Sequence, residues 1–266
     1  MISLKNFICE NLIMEAAPEV NDIKAFLKAN YKGIASKAKI SKAPDADGKY
    51  VVDVKGDVVV SNKDLDNLTN GTFKFGVVDG KFDCEGCNIT TLEGSPREVD
   101  TFNCRACYEL TSLSGAPEIV NRFYCGLCSL TSLAGAPKEA AVFDCRECTD
   151  LTNLEGAPEK VGEFVCMKCD SLVNLKGAPK EVDTFDCSHC TKLASLDGAP
   201  KKVDTFNCSN CNKLSSFKGS PKHITGDLIC INCCGLTSLD GVGKISGVIR
   251  GRLGNGELLD PLYRNK

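Results

Sequence analysis

The chain has 266 residues and a formal net charge of −3, which gives it no overall field that would attract nucleic acid or anionic lipid. No apolar run approaches the roughly 20 residues that a membrane-spanning helix needs. Cysteine is the unusual residue: there are 18, and 16 of them form eight C-x-x-C pairs, with Cys9 and Cys234 outside the pattern.

The first fifteen residues carry a pattern of their own. The chain begins MISLKNFICENLIMEAA, and Lys5, Glu10 and Glu15 interrupt any apolar core, so this segment is not a secretory signal. We therefore expect no secretion through a signal peptide, and free thiols in a reducing compartment. The triplet Ile/Leu-x-Glu occurs only twice in the chain, ending at Glu10 and at Glu15.

This segment resembles the capsid-targeting peptide of internal head proteins in large tailed phages, which a prohead protease removes after Ile/Leu-x-Glu. The resemblance implies cleavage between Glu15 and Ala16, with residues 1–15 as a removed leader. The alternative is an amphipathic helix that packs on the end of the fold. Its apolar stripe would consist of Leu4, Phe7, Ile8 and Leu12.

A helical segment and a capping rung are predicted to follow. Pro18 can begin a helix, and Val20, Ile23, Phe26 and Leu27 continue at helical spacing, so residues 16–48 are predicted to form a helical segment and linker. Residues 49–77 contain VKGDVVVSNKDLDNL, which is predicted to be a first rung without cysteines. In this rung Val58, Val60, Leu65 and Leu68 would point inward.

Residues 78–244 form a repeat in which the first cysteines of successive pairs are 20 to 22 residues apart. The aligned unit reads V-x-x-F-x-C-x-x-C-x-x-L-x-x-L-x-G-A-P, and a fixed period of this length indicates stacked rungs of a solenoid. The F-x-C alternation predicts a strand with both residues inward, and G-A-P predicts a turn. About six residues remain before the next strand, which favours an extended or 3₁₀-like connection over a helix.

The spacing resembles the leucine-rich repeat, L-x-x-L-x-L-x-x-N/C-x-L, with Cys104 at the third Leu position and Cys107 at the Asn/Cys position. The stretches LTSLSGAPEIV, LTSLAGAPKEA and LTNLEGAPEKV resemble the short leucine-rich repeats of tailed-phage proteins. The predicted fold is a β-rich solenoid with eight C-x-x-C rungs, one rung at each end and short parallel strands. Its length would be roughly 45–50 Å, and residues 245–266 would form the C-terminal cap.

The paired cysteines are predicted to form a reduced structural ladder in the core, because they occupy positions that the repeat fills with buried residues. Two alternatives stay open: zinc-binding pairs, and disulfides between rungs. A disulfide within a pair is not expected, since an extended C-x-x-C places the Cα atoms about 10 Å apart, beyond bridging distance. The ladder residues are Cys84, Cys87, Cys104, Cys107, Cys125, Cys128, Cys145, Cys148, Cys166, Cys169, Cys187, Cys190, Cys208, Cys211, Cys230 and Cys233.

Motifs of the common catalytic sites are absent from the sequence: it contains no G-x-S-x-G, no GxxxxGK[ST] and no HExxH. His189 beside Cys190 could suggest a thiol–imidazole pair, but we expect His189 at the surface and Cys190 in the core. We therefore predict no catalytic residues, no metal ligands and no cofactor.

A partner-binding surface is predicted on the concave face, where apolar side chains on neighbouring rungs are flanked by arginines. The predicted residues are Arg105, Arg122, Tyr124, Leu127, Val142, Arg146, Val165 and Met167. The alternative is that Tyr124 and Leu127 only cover a shortened rung at residues 120–139.

These observations lead to the hypothesis of a non-enzymatic leucine-rich-repeat protein-binding module of a tailed phage. The phage head or the host cytoplasm would be its location. Its partner would be a protein, either a host factor or a virion component. No binding to nucleic acid or to a membrane is expected. Two other hypotheses remain: a metal-binding or redox protein that uses the C-x-x-C ladder, and a purely structural virion component.

Overall fold

The protein is a β-solenoid of about ten rungs. A computed structural model describes residues 18–34 and 36–264, in which fourteen strands belong to one sheet. The helices are α1 (Pro18–Asn30) and α2 (Leu259–Arg264). The strands are β1 (Ala38–Ile40), β2 (Tyr50–Lys55), β3 (Val58–Val59), β4 (Phe73–Asp83), β5 (Glu98–Asn103), β6 (Ile119–Tyr124), β7 (Glu139–Asp144), β8 (Lys160–Val165), β9 (Glu181–Asp186), β10 (Lys202–Asn207), β11 (His223–Ile224), β12 (Leu228–Cys230), β13 (Lys244–Ile245) and β14 (Ile249–Gly251).

From β2 to β14 the strands pair in parallel, and from β5 to β10 the register is constant. Val99 lies opposite Val120, and Phe102 lies opposite Phe123, so equivalent residues of successive rungs stack on one another. The first rung contributes β2 and β3, the next seven contribute one strand each, and the last two are split into β11/β12 and β13/β14. No helix interrupts residues 73–251, which confirms the predicted solenoid with non-helical connections.

The centre of the core is a column of phenylalanine rings. Neighbouring ring centroids are 5.3–5.6 Å apart and the planes are inclined by only 6–12°. This is an offset stack of aromatic rings, which adds a specific attraction to the burial of their surface. The stacked residues are Phe82, Phe102, Phe123, Phe143, Phe164, Phe185 and Phe206.

The chain turns at the G-A-P sequence of five rungs, as predicted, and at the corresponding G-S-P or G-V-G sequence of three others. Gly115 has a φ of 85°, and a Cβ atom there would lie 2.6 Å from the main-chain nitrogen of Glu93 on the preceding rung. The N–H of Ala116 donates a hydrogen bond of 3.0 Å to the carbonyl of Leu113. Glycine is therefore required both by the left-handed backbone and by the close approach of two rungs.

The expectation of an extended C-x-x-C segment was wrong. Strands β4 to β10 end before the first cysteine of each pair, and in every pair the two residues between the cysteines form a tight turn. The second of them lies in the left-handed region in every rung, with φ of 54° at Ala106, 60° at Leu127 and 69° at Gly86. This conformation is uncommon for residues other than glycine. Hydrogen bonds to the next rung stabilise it, such as the 2.9 Å bond from the Ala106 N–H to the Gly126 carbonyl.

The turn directs the thiol of each second cysteine back toward the preceding rung. The Cys107 thiol donates to the Cys84 carbonyl at 3.2 Å, and the Cys190 thiol donates to the Cys166 carbonyl at 3.2 Å. The same bond recurs in seven rungs with sulfur–oxygen distances of 3.0–3.4 Å. All sixteen paired cysteines are free and buried, as a reduced core ladder predicts.

Both ends of the solenoid are covered. At the first rung, α1 buries Ile23 and Leu27, and β1 pairs antiparallel with β2. The sequence predicted the helix but not β1. At the last rung, the Ile245 N–H donates to the Tyr263 hydroxyl at 2.8 Å, and the Ile249 N–H donates to the Asp260 carboxylate at 3.2 Å. These contacts satisfy main-chain groups that an open sheet edge would leave unpaired.

The Phe column gives a test of the core. We expect Phe185→Ala to lower the free energy of unfolding by about 3–5 kcal/mol, because this ring is fully buried between Phe164 and Phe206. Chemical denaturation followed by circular dichroism measures the change. Tyr108→Ala is the matched control, since Tyr108 is 64% exposed and its removal should change stability little. Equal losses in the two variants would contradict the stacked core.

Candidate functional site

The residues predicted as a partner surface lie on four neighbouring rungs, but they are not uniformly exposed. Val165 was expected to be exposed and is only 4% exposed, so this expectation was wrong. Tyr124, Leu127, Val142 and Met167 are half-buried. Val165 occupies the position between the Phe and the first Cys of its rung, where the strand ends and the neighbouring rungs cover the side chain.

The position between Phe and Cys has a structural role in most rungs. Its Asp or Asn oxygen accepts a hydrogen bond of 2.8–3.3 Å from the main-chain N–H two residues later, which builds the turn that follows. Asn103 lies between the two inward residues of the predicted F-x-C alternation, which would place it outward, but it makes this bond and is 5% exposed. The turn-building residues are Asp83, Asn103, Asp144, Asp186 and Asn207.

Arg146 is held by a carboxylate of its own rung. Its Nε lies 2.9 and 2.7 Å from the two carboxylate oxygens of Asp144, and its Nη2 lies 2.7 Å from one of them. The hydrogen bonds to Asp144 raise the pKa of Arg146 above its ordinary value. Because the Asp144 side chain is only 2% exposed, this pair neutralises a nearly buried charge.

Arg105 and Gly126 precede Arg146 at the same turn position on the two preceding rungs. Arg105 is half-buried, and Gly126 is buried. A Cβ atom at Gly126 would lie 2.7 Å from the carbonyl oxygen of Arg146, so the close approach of the rungs requires glycine here. Arg122 lies apart from this row, on strand β6, and is exposed.

A groove with a volume of about 1010 Å³ lies at the beginnings of four strands, β6 to β9. Its floor contains Ala140, Ala141 and Gly162, and its walls carry charged side chains of both signs. Ile119 stands at one end and is 52% exposed. The lining residues are Glu118, Ile119, Val120, Lys138, Glu139, Ala140, Ala141, Glu159, Lys160, Val161, Gly162, Lys180, Glu181, Val182 and Asp183.

The sequence analysis missed this groove, although the rung alignment contains a signal for it. At the position after the first apolar residue of the rung, Asn121 and Asp183 flank Ala141 and Gly162, so two consecutive rungs lack a long side chain there. Ile119 is also the apolar exception at a position where the neighbouring rungs carry charged residues. The signal concerns small and missing side chains, which a search for chemically active residues overlooks.

The possible thiol–imidazole pair is not assembled. His189 is exposed, and its Nε2 lies 3.1 Å from the Asn210 side-chain amide, whereas the Cys190 thiol points into the core. Within residues 18–34 and 36–264, no three or more His, Cys, Asp and Glu side chains are grouped so that they could hold a metal ion. In the same part of the chain, neither helix is long and apolar enough to cross a membrane.

Burial raises the pKa of Cys230 and of Cys211 to about 12, and it raises the pKa of Cys84 well above its ordinary value. At Cys107 and Cys233 the hydrogen bond with a neighbouring cysteine side chain outweighs burial and lowers the pKa. A protonated thiol can donate a hydrogen bond, whereas the thiolate is the form that attacks substrates and binds metals. The protonated state therefore suits the bonds between rungs. Cys234, in contrast, is exposed.

Comparison of the chain with protein-family models, with curated proteins and with solved structures finds no match. The class of protein is accordingly defined by its geometry: a cysteine-rich β-solenoid with rungs of about 21 residues.

Thiol titration tests the reduced ladder. In a Cys9→Ser background, which removes the cysteine that lies outside the described residues, we expect a disulfide-forming reagent to react rapidly with Cys234 alone. The sixteen ladder thiols should react only on unfolding, because burial shields them from the reagent. Cys234→Ser should abolish the rapid phase. Two results would contradict a reduced, metal-free ladder. One is that fewer than the expected number of thiols react when the chain is unfolded in concentrated guanidinium without reductant. The other is that zinc co-purifies with the protein in stoichiometric amount.

Proposed function

We propose that this chain is a non-enzymatic protein-binding module, and that its partner docks on the outer face of the sheet between strands β5 and β9. The observation that carries the proposal is the groove of about 1010 Å³ beside the exposed Ile119. Ligand pockets commonly have volumes of about 300–1,000 Å³, so the groove is large enough for several side chains of a bound segment.

The surface of the groove supports a protein partner. Its apolar floor is bordered by Glu and Lys side chains, and Lys160 pairs with Glu139 at 2.6 Å. An apolar centre with a charged rim is the usual composition of a protein interface. The half-buried Val142 and Tyr124 lie on the same strands, β7 and β6, and extend the apolar area toward the arginines.

The proposal includes a tailed-phage origin and packaging in the phage head. Its support is the resemblance of the rungs to short phage leucine-rich repeats and the resemblance of residues 1–15 to a capsid-targeting peptide. Glu15 and Ala16 lie outside the described residues, so this part depends on sequence alone. The partner would be a host factor or a virion component.

Filling the groove tests the docking surface. Ala141 is exposed on the groove floor, so Ala141→Arg should block the groove without disturbing the core. Once a partner has been purified by capture on the Ala16–Lys266 form, we expect Ala141→Arg to weaken its binding at least about 10-fold, measured by calorimetry.

Ala194→Arg is the matched control, because Ala194 is equally exposed but lies in a connection away from the groove. A photo-reactive side chain at position 119 should crosslink the same partner. If Ala141→Arg and Ala194→Arg bind the partner as the unchanged chain does, the docking surface is elsewhere and a purely structural role gains support.

Cleavage of the leader is tested on protein extracted from virions. We expect the N-terminal residue to be Ala16, and we expect Glu15→Gln to prevent cleavage there. Glu19→Gln, four residues beyond, should leave processing unchanged. Intact-mass measurement and N-terminal sequencing distinguish these outcomes, and an extracted chain that retains Met1 would contradict the leader.

A further inference from the structure

A row of exposed lysines follows the beginnings of the last strands of the sheet. The Lys201 N–H donates to the Lys180 carbonyl at 2.8 Å, and the Lys222 N–H donates to the Lys201 carbonyl at 3.1 Å, so these residues stack from rung to rung. At the next position along the chain, Lys202, His223 and Lys244 lie in register. We call the exposed lysines Lys180, Lys201, Lys202, Lys222 and Lys244 the lysine row.

The charge pattern of the rungs changes at the lysine row. In four earlier rungs the residue after the proline of the turn alternates in sign, as Arg97, Glu118, Lys138 and Glu159. In the next three rungs it is lysine each time. Neighbouring strands lie only about 4.8 Å apart, and like charges directly opposite each other are destabilising. The lysine row therefore works against the stability of the sheet.

The acidic residues nearby do not neutralise the lysine row. Glu181 lies opposite Lys202, and Asp183 and Asp204 lie two residues further along β9 and β10. Within residues 18–34 and 36–264, none of the five lysines forms an ion pair. The whole chain carries a net charge of −3, so the row is not a consequence of a basic composition. Its positive charge is available to a partner.

The lysine row continues the groove of the proposed docking surface. Lys180 lines the end of that groove, together with Glu181, Val182 and Asp183. A second groove, with a volume of about 350 Å³, begins at the last three of these residues and runs past Lys202 toward strand β11. A segment that lies in the first groove and extends toward the C-terminal rungs therefore reaches the lysine row.

We infer that the lysine row binds an acidic stretch of the docked partner, a run of Asp or Glu residues next to the apolar residues that occupy the first groove. Opposite charges on two surfaces direct their association and fix their register. The inference deepens the proposed function and rests on it, since it names the chemistry by which the partner is recognised.

The surroundings of the lysine row favour an acidic peptide over a nucleic acid. Proteins that bind single strands place aromatic side chains under the bases, and no aromatic residue lines either groove. A phosphate backbone also carries a negative charge on every nucleotide, which Asp183 and Asp204 would repel. A peptide can place its acidic side chains over the lysines and other side chains over these two aspartates.

Peptide binding to the full chain tests the lysine row, with hexaglutamate as the probe and fluorescence anisotropy as the measurement. At about 20 mM salt, where exposed charges are weakly screened, we expect saturable binding with a Kd on the order of 1 mM. Hexaglutamine of the same length and with the same neutral dye should not bind. A six-nucleotide oligothymidylate should bind more weakly than hexaglutamate.

Substitution separates a binding role from a structural one. Lys201→Glu combined with Lys222→Glu should weaken the binding of hexaglutamate, and of the purified partner, at least about 10-fold. Lys192→Glu combined with Lys213→Glu is the matched control, because it changes the net charge equally at exposed lysines in connections away from the row. Lys201→Glu alone should keep or raise the thermal midpoint of unfolding, because it restores alternating charges between Lys180 and Lys222.

Four results would overturn the inference: equal binding of hexaglutamate by the two double variants, equal binding of hexaglutamine, tighter binding of the oligothymidylate, or a lower unfolding midpoint for Lys201→Glu. The failure of this site is distinguishable from the failure of the proposed function. If hexaglutamate does not bind but Ala141→Arg still blocks the partner, the lysine row alone is wrong. If hexaglutamate binding depends on the lysine row and Ala141→Arg has no effect, the proposed groove is wrong and the acidic recognition is supported.

Discussion

In seven rungs the second cysteine thiol donates a hydrogen bond to the carbonyl of the first cysteine on the preceding rung, and this bond is the contact on which the rest of the structure depends. It needs a donor that is small enough for the core and only weakly polar, which a thiol is. It also needs the chain to reverse direction between the two cysteines. The tight turn with a left-handed residue follows from that need, and so does the inward position of both sulfur atoms.

Because the core is so regular, the amino-acid differences between rungs are concentrated at the surface. Every C-x-x-C rung must place side chains of similar size at the Phe, Cys and Leu positions, because the next rung lies only about 4.8 Å away. Several positions at the turn and at the strand beginning differ in side-chain size from rung to rung. The features with functional interest are departures from the rung pattern at these positions: the small residues at 141 and 162, and the lysine row, in which the charge no longer alternates from rung to rung.

Inward positions could be predicted from the sequence because a repeat shows the same requirement many times. Phe185 and Cys187 are buried, as expected, and so are Val58 and Leu68 of the rung without cysteines. Outward positions were predicted less well. Val165 was expected to be exposed because it follows an inward Phe, but the strand ends at this residue and alternation no longer applies. The position of Asn103 failed for the same reason, since its side chain belongs to the turn.

The sequence by itself determined the period, the parallel stacking and the inward residues, because each of these is a local requirement that every rung repeats. Only the tertiary structure decided which side chains meet across rungs. The engagement of Glu85 by Asn103 and the hydrogen bond of Asn103 to Asp83 depend on distances between rungs. These contacts form only when residues about 20 positions apart in the sequence have stacked, so a local sequence pattern does not predict them.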